Sequence, residues 1–447
     1  MKLIMPYNVP FQSYKSQLVD KEFFTVMGKV TQVIGLMVMV KGIKSFVGEV
    51  CRIIIDGQSE SVTAEVVGFR DDQVLLMALE DLRGVGPGCK VLPTGRALSI
   101  SVGDDLLGKV LDGLGRPMTD LGYTSAILNQ TYSVQRTPPN PLKRKRIDSI
   151  LTTGIKAIDG LLTCGEGQRV GIFAGSGVGK STLLGMISRF SNADVNVIGL
   201  IGERGREVLD FIEKDLGPEG LKKSVVVCAT SDQPALIRLK GAFTATTIAE
   251  YFRDQGKKVV LMMDSVTRFA MAQREVGLTV GEPPATKGYT PSVFAELPRL
   301  LERSGTSDVG SITAFYTVLV DGDDMNEPIS DAVRGILDGH IVLSRKLASK
   351  NHFPAIDVLN SVSRLARDIT DADQHELAAN IREALATYEE SADLLDIGAY
   401  SMGTNPKIDR AIDLYEPINE FLRQDIYERV DYQTTLELMQ DIADRSR

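Results

Sequence analysis

The length, composition and charge of the chain exclude several classes of protein. With 447 residues, the chain is too long for one small core and is expected to fold into two or three domains. Hydrophobic residues make up 43% of the sequence and charged residues 24%, which is ordinary for a globular protein and argues against disorder. The net charge of −9 disfavours a general nucleic-acid binder, because a phosphate backbone selects clustered cations.

The cysteines and the early apolar run restrict the setting further. The sequence has three histidines and no Cys-x-x-Cys pair, which argues against a structural zinc site. The absence of a recognisable signal peptide predicts reduced thiols in a cytoplasmic protein. An apolar run at residues 33–40 is too short to span a bilayer. The four isolated cysteines are Cys51, Cys89, Cys164 and Cys228.

The first hundred residues predict a tail followed by a small β domain. Residues 1–20, with Pro6 and Pro10 and little periodicity, are expected to form a flexible or partner-bound tail. Residues 21–102 contain short β-branched runs broken by turns, and this spacing predicts a small β-barrel or sandwich. The runs are 29–40, 50–55, 62–69, 73–78 and 97–102.

The middle of the chain predicts an α/β domain. Residues 103–364 alternate apolar strands with helical stretches such as 237–255 and 292–303, which is typical of a doubly wound parallel sheet. A long polar loop rich in Gly and Pro is expected at 277–291. The basic run at 143–146 is interpreted as a solvated linker, with contact to an acidic partner or a membrane surface as the alternative.

The last part of the chain, residues 365–447, is predicted to be a helical domain. Apolar residues recur at spacings of three and four in the segments 376–395 and 408–422. Most of these residues are expected to pack a helix on its own domain. The predicted architecture is therefore a β-barrel, a P-loop α/β domain and a helical domain in chain order.

A glycine-rich loop follows the apolar run at 170–173. It has the P-loop pattern, with Ala174 in place of the first glycine and Lys180-Ser181 at its end. Its backbone N–H groups are expected to bind phosphate, Lys180 to reach the β- and γ-phosphates of ATP, and Ser181 to bind Mg²⁺. The predicted nucleotide-binding residues are Gly175, Ser176, Gly177, Val178, Gly179, Lys180, Ser181 and Thr182.

Two acidic residues follow other predicted strands. Asp264 comes after five apolar residues, and the carboxyl end of such a strand lies beside the P-loop in an open α/β sheet. Asp264 is therefore the second predicted magnesium ligand, with an ordinary strand-end carboxylate as the alternative. Glu203 follows the strand at 197–201 and is the candidate base that activates water. The alternative for Glu203 is a solvated turn of mixed charge.

Four longer motifs add to the P-loop. They are Gly-Glu-Arg-Gly-Arg-Glu at 202–207, Asp-Ser-Val-Thr-Arg at 264–268, Gly-Tyr-Thr-Pro at 288–291 and Pro-Ala-Ile-Asp-Val-Leu-Asn-Ser-Val-Ser-Arg at 354–364. Together they resemble the α/β-type ATPases of the rotary ATP synthase superfamily. Within that superfamily, the segments 173–181, 262–275 and 281–303 are most similar to the flagellum-specific ATPases of the type III protein export apparatus. The likeness covers nearly the whole chain.

The resemblance implies roles for further residues. Arg204 and Arg268 match positively charged positions near the phosphates, so both join Glu203 and Lys180 as candidate catalytic residues. Arg364 matches the arginine finger, which reaches the γ-phosphate of a neighbouring subunit. Glu203 in place of Gln implies a catalytic rather than a non-catalytic subunit.

The adenine contacts are left open by the resemblance. The catalytic synthase subunits are expected to carry a stacking Tyr after the finger, but His375-Glu376 stands where His-Tyr is expected. Tyr388 and Tyr400 are candidates for the contact. Core packing is the more expected role for both.

The resemblance also implies partners and a location. It implies a homohexamer in which the barrel helps close the ring and the 277–291 loop faces a central channel. An export stator or regulator would bind the N-terminal tail, and a central stalk protein, export chaperones, exported substrates and a membrane export gate would be further partners. The implied function is Mg²⁺-dependent ATP hydrolysis that releases chaperones and drives substrates into the flagellar export apparatus, at the inner face of the cell membrane.

Three alternatives remain. The same motor could serve a virulence-type III secretion system. A ring-shaped nucleic-acid translocase of the termination-factor type would need a basic, aromatic-bearing domain, which this acidic chain without Trp disfavours. A non-catalytic nucleotide-binding scaffold is disfavoured because Glu203 and Arg364 occur together.

Overall fold

The computed structural model describes residues 26–55, 61–118, 130–320, 322 and 324–445. The chain divides into two compact units between Ala97 and Leu98. The predicted tail at 1–20 lies outside the described residues.

The first unit contains a closed antiparallel barrel with the strand order β1-β2-β5-β4-β3-β6. Alternate residues of one strand serve different faces, as the twofold repeat of a strand requires. Val38 and Val40 lie in the barrel core, whereas Met37 and Met39 pack with Leu75 in a separate cluster. The six strands are β1 (Gly28–Ile34), β2 (Met37–Lys41), β3 (Glu49–Ile54), β4 (Ser61–Arg70), β5 (Gln73–Ala78) and β6 (Lys90–Ala97).

The second unit is built on a sheet in the order β19-β18-β12-β17-β15-β13-β14-β8, with β16 paired to β17. All pairs along this path are parallel except β18–β19. The strands are β7 (Ser99–Val102), β8 (Val110–Asp112), β9 (Gln130–Ser133), β10 (Ile150–Leu151), β11 (Cys164–Gly165), β12 (Arg169–Ala174), β13 (Val195–Ile201), β14 (Ser224–Ala229), β15 (Lys258–Asp264), β16 (Gly305–Thr306), β17 (Ser311–Leu319), β18 (Gly339–Leu343) and β19 (Ile356–Ser363).

Helices cover the sheet and form the C-terminal part of this unit. They are α1 (Lys156–Leu161), α2 (Lys180–Phe190), α3 (Gly205–Asp210), α4 (Gly217–Lys222), α5 (Ala235–Asp254), α6 (Val266–Val280), α7 (Pro291–Leu301), α8 (Pro328–Ile336), α9 (Arg345–Ser349), α10 (Ala366–Ile369), α11 (Ala372–Asp396), α12 (Pro406–Leu422) and α13 (Tyr432–Asp444). Every residue of β13 and β14 is buried, as expected for parallel strands covered on both faces. The predicted barrel, doubly wound sheet and helical C-terminal region are thus confirmed.

The C-terminal helices share a core with the sheet. Ile418 and Phe421 of α12 and Met439 of α13 belong to the same apolar cluster as the central strands. Helix α13 approaches α1 closely at Gly160, where a Cβ atom would lie 2.6 Å from the Met439 sulfur. Glycine at this position therefore lets the two helices pack together.

Three segments differ from their predicted form. β7 falls in the range predicted for the barrel, but it pairs with β9 in the larger unit. Helix α6 continues through Gly277 and ends at Gly281, whose φ of 93° is left-handed, so the loop is shorter than predicted. The basic run at 143–146 is docked rather than wholly solvated, because Arg144 donates to the carbonyl oxygens of Ser304, at 2.7 Å, and Glu302.

The four cysteines are buried free thiols. Among the residues that the structure describes, no helix is both long enough and apolar enough to cross a membrane.

Candidate active site

The P-loop lies at the carboxyl end of β12. Gly177 and Gly179 have φ values of 77° and 90°, a left-handed backbone that side chains other than glycine rarely adopt. Gly179 is the N-terminal cap of α2, and Lys180 is the first residue of that helix. The loop therefore directs backbone N–H groups and a helix N-terminus toward one point, which suits an anion.

Lys180 lies between the two predicted carboxylates. Its Nζ is 2.5 Å from Asp264 Oδ1 and 3.7 Å from Glu203 Oε1. The parallel register explains this meeting, because β12, β13 and β15 end at the same edge of the sheet. The structure therefore brings together three residues that are predicted from separate motifs.

The charges of this cluster perturb one another. Burial and then the neighbouring Asp264 raise the pKa of Glu203 to about 7, although Lys180 opposes the rise. Burial by itself lowers the pKa of Lys180, but the carboxylates of Asp264 and Glu203 outweigh that effect and the net pKa is raised. Lys180 is thus held as a cation, and Glu203 is poised to exchange a proton near neutral pH.

Asp264 is fixed from the neighbouring strand and helix. Thr317 Oγ1 in β17 donates to Asp264 Oδ1 at 2.7 Å and to the carbonyl oxygen of Met263 at 3.2 Å. The next residue, Ser265, follows through a cis peptide bond and caps α6 by accepting from the Arg268 N–H at 3.3 Å. The carboxylate is therefore positioned in part by Thr317, which lies outside the motif of Asp264.

Arg268 and Arg204 have different surroundings. Arg268 packs against Gly202, where a Cβ atom would lie 2.8 Å from the Arg268 Cβ. The Nε of Arg268 and the Oε1 of Glu203 are both buried and have no hydrogen-bond partner among the residues that the structure describes. Arg204 has an 81% exposed side chain and lies 3.7 Å from Glu207. The geometry thus groups Arg268, but not Arg204, with the buried polar atoms of the cluster.

Arg364 lies at the opposite end of the strands from the P-loop. Strand β19 runs antiparallel to β18, and its last residue, Ser363, pairs with Gly339, which in turn pairs with Val170 near the start of β12. The P-loop follows Ala174 at the far end of β12, about 13 Å along the strand. Arg364 is exposed, and its guanidinium donates to the Arg334 carbonyl oxygen at 3.3 Å.

A cavity of about 240 Å³ adjoins the P-loop helix. Its lining includes Gly179 and Thr182 on one side and Phe353, Gln424 and Ile426 on the other. A Cβ atom at Gly179 would lie 3.7 Å from the Phe353 ring. An apolar cavity with an aromatic wall beside a phosphate loop suits a nucleobase.

Sequence reasoning missed Phe353 and Ile426, and the tyrosines it offered lie elsewhere. Tyr388 stacks on Tyr415 with ring centroids 3.6 Å apart, and Tyr400 donates to Asp409 at 2.7 Å. His375 lines a different cavity, beside Arg382. The only signal for Phe353 in the sequence is its place directly before the Pro-Ala-Ile-Asp motif.

The residues present fit magnesium bound together with phosphate. Ser181 at the start of α2 and the carboxylate of Asp264 are oxygen donors of the kind that Mg²⁺ prefers. Within the described ranges, no group of three or more His, Cys, Asp or Glu side chains could hold a metal. Waters and phosphate oxygens would therefore complete the shell, which is usual for Mg²⁺. The fold and this site define a P-loop nucleoside triphosphatase.

Comparison with known proteins agrees with that class. Residues 154–363 match the nucleotide-binding domain of the ATP synthase alpha/beta family, and residues 30–95 match the β-barrel domain of that family. Residues 370–441 match the T3SS EscN ATPase C-terminal domain.

Individual relatives are similar along most of the chain. The flagellum-specific ATP synthase of Bacillus subtilis is 58% identical over 89% of this chain and 90% of its own length. That of Treponema pallidum is 55% identical over 95% and 94%. The type 3 secretion system ATPase of Xanthomonas euvesicatoria is 51% identical over 93% and 94%.

A solved structure supports the same assignment. The assembled ATPase EscN from the enteropathogenic E. coli type III secretion system matches with a TM-score of 0.88 and 48% identity, over 93% of this chain and 99% of that chain. The chain belongs to the ATP synthase alpha/beta family, in its group of flagellar and type III secretion ATPases, and it is an ATPase.

Proposed function

We propose that the chain hydrolyses MgATP to drive chaperone release and substrate entry in flagellar protein export. The observation that carries the chemistry is the meeting of the buried Asp264 with the half-buried Lys180 and Glu203 at one sheet edge. Two flagellum-specific relatives share 58% and 55% identity with the chain and the type 3 secretion relative shares 51%, which supports the flagellar system, while further flagellum-specific relatives share 44% to 48%.

Each residue of the group has a role in the proposed reaction. Backbone N–H groups of Gly175 to Thr182 and the Lys180 ammonium hold the phosphates. Ser181 and Asp264 hold Mg²⁺, which neutralises developing charge on the β- and γ-phosphates when it is bound. Glu203 accepts a proton from the attacking water. The guanidinium of Arg268 adds positive charge beside Glu203.

Lys180 changes partner when nucleotide binds. In the structure its ammonium is paired with Asp264 at 2.5 Å. A triphosphate brings more negative charge than one carboxylate, so the ammonium turns toward the phosphates. Asp264 then has an oxygen free for the metal.

The base of ATP is proposed to occupy the cavity between α2 and Phe353. The cavity volume of about 240 Å³ and the apolar side chains of Phe353 and Ile426 support this placement.

Arg364 is proposed to act on a neighbouring copy of the chain. The register places Arg364 at the end of the strands opposite its own P-loop, which supports action on another copy. EscN is described as an assembled ATPase, and in a second structure as a complex with its central stalk EscO. For this chain we infer a ring, six-membered as in the superfamily, with a central stalk protein as partner. Arg204, which is exposed, is proposed to approach the phosphates in that assembly.

The remaining partners and the location are also proposals. Export chaperones, exported substrates, the export gate and a regulator at the N-terminal tail would place the ring at the inner face of the cell membrane. The resemblance to the export ATPases supports them. Nucleic acid is not expected as a partner, because the chain has a net charge of −9.

Complementation between two inactive variants tests the shared site. ATPase rates are measured against protein concentration for wild type, Arg364→Ala, Lys180→Ala and an equimolar mixture of the two variants. A shared site predicts that specific activity rises with concentration and that the mixture exceeds either variant alone. A concentration-independent rate with an unaffected Arg364→Ala would overturn the ring proposal.

A further inference from the structure

The turn that follows α12, residues 423–428, is held by one buried side chain. We call this segment the Gln424 turn. The Gln424 side-chain Nε2 donates to the carbonyl oxygens of Gly154 at 2.8 Å and Glu428 at 2.9 Å. Its Oε1 accepts from the Lys156 N–H at 2.8 Å. Gln424 is 5% exposed, so these bonds are made away from water.

The same turn forms one wall of the cavity beside the P-loop. The backbone N–H of Gln424 donates to the Phe353 carbonyl oxygen at 3.0 Å, and the side chains of Gln424 and Ile426 line the cavity. A backbone hydrogen bond therefore joins the Phe353 wall to the Ile426 wall. Moving the turn would move both walls.

The turn also contacts the far end of the P-loop helix. Arg189, in the last turn of α2, donates to the carbonyl oxygen of Ile426. Its guanidinium lies 5.6 Å from the centroid of the Tyr427 ring. The Gln424 turn thus connects α12, the N-terminus of α1, the Phe353 segment and α2.

The side-chain amide of Gln424 has no N–H donor left for a hydrogen bond to a ligand. Both of its Nε2 hydrogens are used, and its oxygen accepts from a backbone N–H. Its NH2 group can therefore donate no hydrogen bond to the base, which leaves the shape of the cavity as the main route by which Gln424 acts on nucleotide binding.

We propose that Gln424 is a positioning residue for the nucleobase, acting through Phe353 and Ile426. This inference rests on the proposed placement of the base in that cavity. Because the phosphates are held by the P-loop, loss of Gln424 should weaken binding of ligands that carry a base and spare ligands that do not.

Two diphosphates that the enzyme does not hydrolyse separate these contributions. Dissociation constants for MgADP and for magnesium pyrophosphate are measured by calorimetry with wild type, Gln424→Ala and Gln424→Met. Methionine keeps most of the volume and removes the hydrogen bonds. The control is Gln440→Ala, which removes an exposed glutamine of α13 that donates to Asp444.

We expect both Gln424 variants to bind MgADP about tenfold more weakly and pyrophosphate within about twofold of wild type. In steady-state assays KM for ATP should rise about tenfold while kcat falls less than about threefold, because uniform binding is lost. Equal losses for both diphosphates would show a general structural role and overturn the proposal. Unchanged MgADP binding would overturn it as well.

A wild-type measurement covers the case in which the variants fail to fold. Hydrogen exchange in peptides spanning 423–428 should slow when MgADP is added and remain unchanged with magnesium pyrophosphate. Equal protection by both, or by neither, would overturn the role of Gln424. If wild type binds MgADP no more tightly than pyrophosphate, the base cavity itself fails, and the inference that depends on it fails too.

Discussion

The Lys180 ammonium lies between the carboxylates of Asp264 and Glu203. The Lys180 side chain is 12% exposed, and its ammonium donates to Asp264, which in turn accepts from Thr317. The positive charge of Lys180 is therefore paired with carboxylates. After the proposed partner exchange of Lys180, Asp264 binds the metal and Glu203 alone acts on water. Substitutions of the two carboxylates should therefore have different effects.

Glu203→Gln should bind nucleotide and lose turnover. Glutamine keeps the size of the side chain but cannot accept a proton, and general-base catalysis contributes about 10²–10⁴-fold in rate. We expect kcat to fall by that order while the dissociation constant for MgADP stays within about threefold. Retained turnover in Glu203→Gln would remove it as the base.

The pH profile of kcat/KM should rise through about pH 7. The pKa of Glu203 is raised to about 7, and the base works only when it is ionised. Activity is therefore expected above that pKa and lost as the pH falls below it, since kcat/KM reports the free enzyme. The residual rate of Glu203→Gln serves as the control and should lack this step. A wild-type profile that is flat from about pH 6 to about pH 8 would contradict the assignment.

Helix α5 is tied to its surroundings by a buried ion pair. Arg303, which follows α7, donates to Glu250 at 2.9 and 2.7 Å, and both side chains are 1% exposed. Arg303 also donates to the Val134 carbonyl oxygen at 2.9 Å and to Thr247 at 2.8 Å. One guanidinium thus joins the segment after β9 to α5.

Arg303→Ala should therefore destabilise the larger unit strongly. The substitution leaves the buried Glu250 carboxylate with the partly exposed Arg136, 3.5 Å away, in place of the buried Arg303, and breaking a buried pair typically costs about 3–5 kcal/mol. Urea unfolding followed by circular dichroism measures the change. Arg299→Ala is the matched control, because the Arg299 side chain is 71% exposed in its pair with Glu296 and such a pair contributes about 0–1 kcal/mol. Equal effects of the two substitutions would contradict the importance of burial.

The elements that sequence reasoning located correctly carry local signals. The P-loop, Asp264 and Glu203 each follow a buried strand, so their meeting at one sheet edge is predictable from strand order alone. The base cavity has no such signal, because Gln424 bonds to Lys156 across 268 residues of sequence. The solvated linker predicted at 143–146 is wrong at Arg144 for the same reason, since its acceptor on Ser304 is 160 residues away. Hydrogen bonds between distant segments leave no periodicity in the sequence.

The affinity of the chain for nucleotide should not depend on Arg364, the predicted arginine finger. Arg364 lies at the sheet edge opposite the P-loop, so Arg364→Ala is expected to leave the dissociation constant for MgADP within about twofold of wild type in dilute protein. MgADP at about 100 times that constant should raise the free energy of unfolding by ~2.7 kcal/mol in both proteins. Lys180→Ala, measured beside them, should show a smaller gain. A weaker gain for Arg364→Ala would mean that the finger serves its own site.

The reversed direction of β19 has a consequence for mixed populations of chains. The strand begins two residues after Pro354, in the wall of its own base cavity, and ends next to Arg364. In a ring, a chain that lacks Lys180 inactivates only its own active site, and a chain that lacks Arg364 inactivates only the active site of the neighbouring subunit. A chain that lacks both residues inactivates two sites. When it is co-expressed with wild-type chains, the double variant should therefore have a stronger dominant-negative effect on activity than either single variant. This effect follows from the direction of β19, which separates Arg364 from its own P-loop.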